Sequence, residues 1–156
     1  TVTSSSPSTI GVRTNTTYQM SGATTTNAQT GLPDLVVSIK AIGYLGAAST
    51  DSFIASSTVP SGLRPAVTFT IKNIGTKATG LWRFSASIPT QISFVYQSEP
   101  QQSLNTGDSI DYTLGFDQAI PGTDKMVSIA ANPNRTVIES NTNNNDASAK
   151  VTIIGG

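Results

Sequence analysis

The chain contains no cysteine and no histidine. Without them the common zinc and transition-metal ligand sets are missing, and so are the usual general base and the histidine-activated nucleophiles. Disulfides are excluded too, although their absence assigns no compartment. Charge is scarce, with nine acids balanced by nine bases in 156 residues. A neutral chain with no basic patch is not expected to bind nucleic acid or anionic membranes. Long apolar runs are also missing. Leu35-Val36-Val37 and Val151 to Ile154 are strand-sized, far below the roughly 18 residues that cross a bilayer, so no membrane insertion is expected. No window of helical length shows a 3.6-residue apolar period with caps.

What the chain has instead is serine and threonine, 43 residues of the two together. A polar, weakly charged surface of this kind suits an exposed β protein. The start at Thr1 fits a mature N-terminus left after a signal peptide is removed, the favoured reading, or a chain that was simply trimmed. The expectation is an extracellular or cell-surface location.

Apolar residues recur every second position in one segment after another, as half-buried strands require. Leu35, Val37 and Ile39 form one such face; Val67, Phe69 and Ile71 another; Trp82, Phe84, Ala86 and Ile88 a third, ended by Pro89. Ile92, Phe94 and Tyr96 follow, then Ile110, Tyr112, Leu114 and Phe116, then Met126 to Ala131, a short Thr136-Val137-Ile138, and Ala147 to Ile153. Residues 44–65 read as a long loop with a short strand at Phe53-Ile54. Asn73-Ile74-Gly75, Asn105-Thr106-Gly107-Asp108 and Pro121-Gly122 are turn signals. The fold class is therefore all-β: an immunoglobulin-like antiparallel β-sandwich of about seven strands.

Residues 1–31 have a different texture, with abundant Ser and Thr and a single charge, Arg13. They read as an N-terminal arm, and residues 32–156 as the sandwich. Within the arm, residues 10–20 alternate like a strand, placing Ile10, Val12, Tyr18 and Met20 on one face. Three readings fit: a flexible linker, an extra strand folded back on its own sandwich, or a donor strand that completes a neighbour's sheet. An eleven-residue strand spans roughly 36 Å, the length of a sandwich. Head-to-tail donation does not close and so builds filaments. The favoured expectation is a homo-oligomeric surface filament or sheath assembled by the arm. The alternative is a monomeric cell-surface adhesion or carbohydrate-binding module, with surface glycans as partners and contacts in the 44–65 and 97–108 loops.

From Leu32 onward the chain resembles the CARDB family, the cell-adhesion-related domain of bacteria and archaea. Pro33-Asp34-Leu35-Val36-Val37 matches the family's opening strand, and Val67 to Gly75 a strand ending in Asn-x-Gly. Leu104-Asn105-Thr106-Gly107 matches a Leu-x-x-Gly turn. Asn132-Pro133-Asn134, then Glu139 and the Asn-rich turn 141–146, match the most specific piece. Two positions depart: the family's Asp before Pro is Asn132 here, and its second acid in the Asn-rich turn is Thr142. The resemblance implies a β-sandwich module of surface and secreted proteins with no catalysis of its own.

Few side chains offer chemistry. Glu139 and Asp146 flank an Asn cluster and are weak calcium candidates, set against a turn in which Asn side chains bond nearby backbone. Asp108, Asp111 and Asp117 flank one strand, but a paired-carboxylate hydrolase needs an acid of raised pKa in a cleft, and the alternation puts Asp111 on a solvated face. No enzyme activity and no cofactor are expected. Trp82 with Tyr44, Tyr96 and Tyr112 forms either a sugar platform or core; the shared parity of Trp82, Phe84, Ala86 and Ile88 favours core for Trp82, leaving Tyr44 as the exposed aromatic. Asn15-Thr16-Thr17 and Asn134-Arg135-Thr136 fit the N-glycosylation sequon.

Overall fold

A computed structural model describes residues 2–7, 12–19, 31–47, 49–88, 95–117 and 119–155, the first two segments as backbone alone. In chain order the strands are β1 (Val2–Pro7), β2 (Val12–Gln19), β3 (Leu35–Leu45), β4 (Phe53–Ala55), β5 (Thr58–Val59), β6 (Arg64–Asn73), β7 (Phe84–Ser87), β8 (Val95–Gln97), β9 (Ser109–Phe116), β10 (Gly122–Ala131) and β11 (Asp146–Ile153). They form two sheets. One has the order β1-β2-β9-β6-β3-β4 and the other β5-β11-β10-β7-β8. All pairings are antiparallel except β5 with β11.

The core lies between the sheets and is built by the period of two. Val67, Phe69 and Ile71 of β6 and Ile110, Tyr112, Leu114 and Phe116 of β9 point inward from one sheet. Phe84 and Ala86 of β7, Val127 and Ile129 of β10, and Val151 and Ile153 of β11 meet them from the other. Each buried Val, Leu, Ile or Phe contributes roughly 1.5–3 kcal/mol before chain entropy is set against it. The centre is aromatic. The Tyr112 ring stacks on Phe69 at 5.0 Å between centroids and tilts against Phe84 at 4.6 Å.

One irregularity redirects β3. Ile39 pairs with Phe69 but Ala41 with Thr68, so Lys40 is an extra residue against β6. Such a bulge reverses the alternation. Leu35 and Val37 face the core before it, and Ile42 and Tyr44 pack against the core after it. This corrects two expectations. Tyr44 is not an exposed loop residue but a half-buried strand residue, and 44–65 is no long loop, since β3 runs to Leu45 and β4 and β5 follow. The short strand expected at 136–138 is also absent: Val137 is buried and Ile138 is 75% exposed, because the segment is bonded to the Asn132 side chain rather than to a neighbouring strand. Ile92 and Phe94 lie outside the described residues.

Candidate functional site

At the end of the sandwich where β3 begins and β6 and β10 end, polar side chains fasten the connecting loops. Asn73, the last residue of β6, is fully buried. Its Oδ1 accepts from the N–H groups of Asp34 (3.0 Å) and Gly75 (2.9 Å). Its Nδ2 donates to the carbonyls of Lys77 (2.8 Å) and Leu104 (3.0 Å). One amide thus satisfies four backbone groups from three separate segments. Gly75 completes the fit, since a Cβ there would lie 2.4 Å from the Leu32 carbonyl oxygen; only glycine lets 32–34 pass so close.

Glu139 ties the far side of the same end. Its Oε1 accepts from the Leu35 N–H at 2.7 Å. Its Oε2 accepts from Asn132 Nδ2 at 2.7 Å and from Asn145 Nδ2. Asn132 also receives the Val137 N–H on Oδ1 and donates to the Val137 carbonyl. Asn144 Nδ2 donates to Asp34 Oδ1 at 2.8 Å. The Asn-rich loop is thereby pinned to the first residues of β3. An anion solvated by N–H donors rather than by a cation is a charge-assisted arrangement, roughly twice as strong per bond as a neutral one. The geometry also accounts for Asn132 in place of an acid, because its amide must donate to Glu139 where a second carboxylate would be repelled. Asp146 is exposed at the start of β11, paired with Ala130. Among the described residues, no group of three or more acids is placed to hold a metal ion.

The arm joins the six-stranded sheet. β2 pairs antiparallel with β9 over its whole length, from Val12 opposite Phe116 to Gln19 opposite Ser109. β1 then pairs with β2, from Val2 opposite Tyr18 to Pro7 opposite Arg13. The arm is therefore a two-stranded unit rather than the single strand its alternation suggests, and within one chain it lies on its own sandwich. Val12 and Tyr18 sit in β2 opposite the core positions Phe116 and Ile110, and Asn15 sits opposite Thr113; Ile10 and Met20 lie outside the described residues. Nothing in Val-Thr-Ser-Ser-Ser-Pro marks β1 as a strand, because the segment carries no apolar alternation. The available clue was topological, since a strand added to β9 has a second edge of its own to cover.

Residues 32–149 match the CARDB family. The chain belongs to the CARDB family. That family comprises cell-surface, adhesion-related domains of non-catalytic type. Solved structures that share the fold include the following three. The crystal structure of the CARDB domain of PF1109 from Pyrococcus furiosus, in complex with di-metal ions, is 18% identical, with TM-score 0.57 over 80% of this chain and 96% of that one. The solution structure of the same domain gives 20%, 0.58, 79% and 96%. A domain of a putative cell surface protein from Methanosarcina acetivorans gives 21%, 0.54, 79% and 93%. No curated protein matches the chain.

In this CARDB domain the remaining acids are dispersed. Asp111 accepts from the Thr70 hydroxyl at 2.5 Å and lies 3.7 Å from Lys40 Nζ. Asp117 pairs with Arg64, and buried Asp108 accepts the Asn105 N–H at 3.0 Å. Six residues of extended chain separate Asp111 from Asp117, roughly 20 Å, so they do not form an acid pair. Among the described residues the aromatics make no platform either. Trp82 is buried, with Nε1 donating to the Gln102 carbonyl at 2.9 Å, and Tyr96 tilts against Phe84 at 6.0 Å.

Tyr112 has a titration consequence. Its hydroxyl donates to Gln101 Oε1 at 2.8 Å, and burial, with Tyr96 nearby, holds its pKa well above the ordinary 10.0. The unfolded chain releases this proton near pH 10 while the folded chain keeps it. Stability is therefore unaffected below about pH 10 and falls as pH rises beyond it. Urea unfolding at pH 8 to 11 should show that decline, and Tyr112→Phe should make it shallower, leaving the smaller part due to Tyr96, whose pKa burial also raises. A wild-type curve level to pH 11 would contradict the assignment.

Proposed function

We propose that this CARDB protein is a secreted, non-catalytic structural and adhesion subunit of the cell surface, and that its arm joins copies head to tail into a filament or sheath. The observation that carries the proposal is the unbroken β2–β9 register, eight residue pairs long. Residues 35–153 supply a two-sheet core, so β9 is an edge that needs a partner strand, and its backbone accepts the same sequence from any copy. Within one chain the arm fills its own β9. A neighbour's β9 offers the same eight partners.

Chain length permits the exchange. From β2 to β3 the chain must cross three strand spacings, roughly 14 Å, whereas the twelve residues 20–31 extend to about 40 Å. A tether of this length gives the arm an effective concentration on the order of millimolar at home. Exchange is thus favoured at the high local density of a surface layer and suppressed in dilute solution. The competing reading, a monomeric adhesion module, is favoured by the self-pairing within one chain. Divalent-metal binding, named for the Pyrococcus domain, is not part of the proposal, because Glu139 already accepts three N–H donors here.

Light scattering and electron microscopy separate these readings. The intact chain should grow into polymers when concentrated, or when refolded at high concentration. A chain lacking residues 1–31 should stay folded and form no such polymers. A truncated chain that assembles like the intact one would refute arm-mediated linkage.

A further inference from the structure

We propose that Asn134 is an N-glycan acceptor and that Asn15, the other sequon, is not. The two share the same local chemistry, Asn-x-Thr, so the difference is one of backbone access. An enzyme that modifies a sequon must surround three residues of main chain. Asn15 lies in β2, paired to Ser5 of β1 on one side and to Thr113 of β9 on the other. Both edges of that strand are occupied, and the sheet would have to open before any enzyme reached it.

Asn134 stands in an exposed turn between β10 and β11. The Arg135 N–H closes on the Asn132 carbonyl at 3.0 Å, and Asn132 and Arg135 hold left-handed conformations at φ 51° and 55°. Pro133, Asn134, Arg135 and Thr136 are all exposed. The turn's anchors are buried on its far side, through Asn132 and Val137. The sequon is therefore presented on a fixed base. The Thr136 hydroxyl, which completes the sequon, touches Asn132 Oδ1 only at 3.5 Å, the outer limit of a hydrogen bond, so its release costs little. The same loop carries Ile138, at 75% the most exposed of the large apolar side chains among the described residues; an adjoining sugar would screen it from water.

The donor is a lipid-pyrophosphate-linked oligosaccharide. The Asn134 side-chain nitrogen bonds to the anomeric carbon, the carbon–oxygen bond to the lipid pyrophosphate breaks with its electron pair, and one amide proton is released. This site stands independently of the assembly proposed above.

Mass spectrometry of the protein secreted by its own cells tests the assignment. Lys125, Arg135, Arg13 and Lys40 place the two sequons on separate tryptic peptides, 126–135 and 14–40. A saccharide mass should appear on the first and not the second, and Asn134→Gln should abolish it without changing the unfolding midpoint by more than a few degrees. Thr136→Val should abolish it as well. An unmodified 126–135 peptide, or equal occupancy at Asn15, would overturn the proposal.

Discussion

Asn73→Ala is expected to destabilise the domain by about 4 kcal/mol or more, although it removes only one small polar side chain. The amide serves four backbone groups, the N–H of Asp34 and Gly75 and the carbonyls of Lys77 and Leu104. A buried group stripped of its partner costs about 1–3 kcal/mol. Some of the four will recover a partner by local rearrangement, which keeps the expected total below the simple sum. Asn73→Leu, with similar volume, tests whether the loss comes from hydrogen bonds or from a cavity. It should be as damaging as alanine, because filling the space satisfies none of the four groups. Asn73→Asp keeps the acceptor but turns lone pairs toward two carbonyls, and should also lose several kcal/mol. Urea titration at constant m-value measures these differences. A loss near 1 kcal/mol for Asn73→Leu would mean that the loops are held by something else.

Glu139→Gln should cost about 3 kcal/mol with no change of shape. The carboxylate accepts one N–H on Oε1 and two on Oε2. Glutamine retains one oxygen and sets an NH2 group where the other stood. That group faces either the Leu35 N–H or the two asparagine amides, and in both cases donor meets donor. Hydrogen bonds to a charged group are worth about 1.5–3 kcal/mol each, so losing one or two accounts for the figure. Calcium chelation separates this from a metal-ligand role. The wild-type unfolding curve should be unmoved by a chelator or by added calcium. A stabilisation on adding calcium that disappears in Glu139→Gln would assign the carboxylate to a cation instead.

How far the sequence reveals this fold depends on what carries the signal. β6, β9 and the inward face of β11 were legible because Val67-Phe69-Ile71, Ile110-Tyr112-Leu114 and Val151-Ile153 repeat with the period of the pleat. The bulge at Lys40 left no mark, since one extra polar residue on an exposed face looks like any other, and so the inward turn of Tyr44 was missed. β1 was hidden for a related reason, its residues being Ser, Thr and Pro without apolar contrast. Asn73 was readable only as turn punctuation, because its partners Asp34 and Leu104 are 39 and 31 residues away. Glu139 and the asparagines were recognisable as a polar group but not as a lock, because sequence does not tell which amide turns its nitrogen toward which oxygen. The family resemblance supplied the remainder, placing the Pro33–Val37, Asn73–Gly75 and Asn132–Asp146 motifs in order. In the structure all three meet at one end of the sandwich.

The assembly proposal rests on whose β9 the arm occupies, and the absence of native cysteine makes that directly measurable. Asn15 and Thr113 are register partners across β2 and β9, at a spacing that antiparallel neighbours share with disulfides. A chain carrying Asn15→Cys and Thr113→Cys would be assembled at high concentration, oxidised, and run on a denaturing gel without reductant. Exchange predicts a ladder of covalent multimers that collapses to monomer on reduction. A single covalent monomer band from polymerised material would show that every arm had stayed at home.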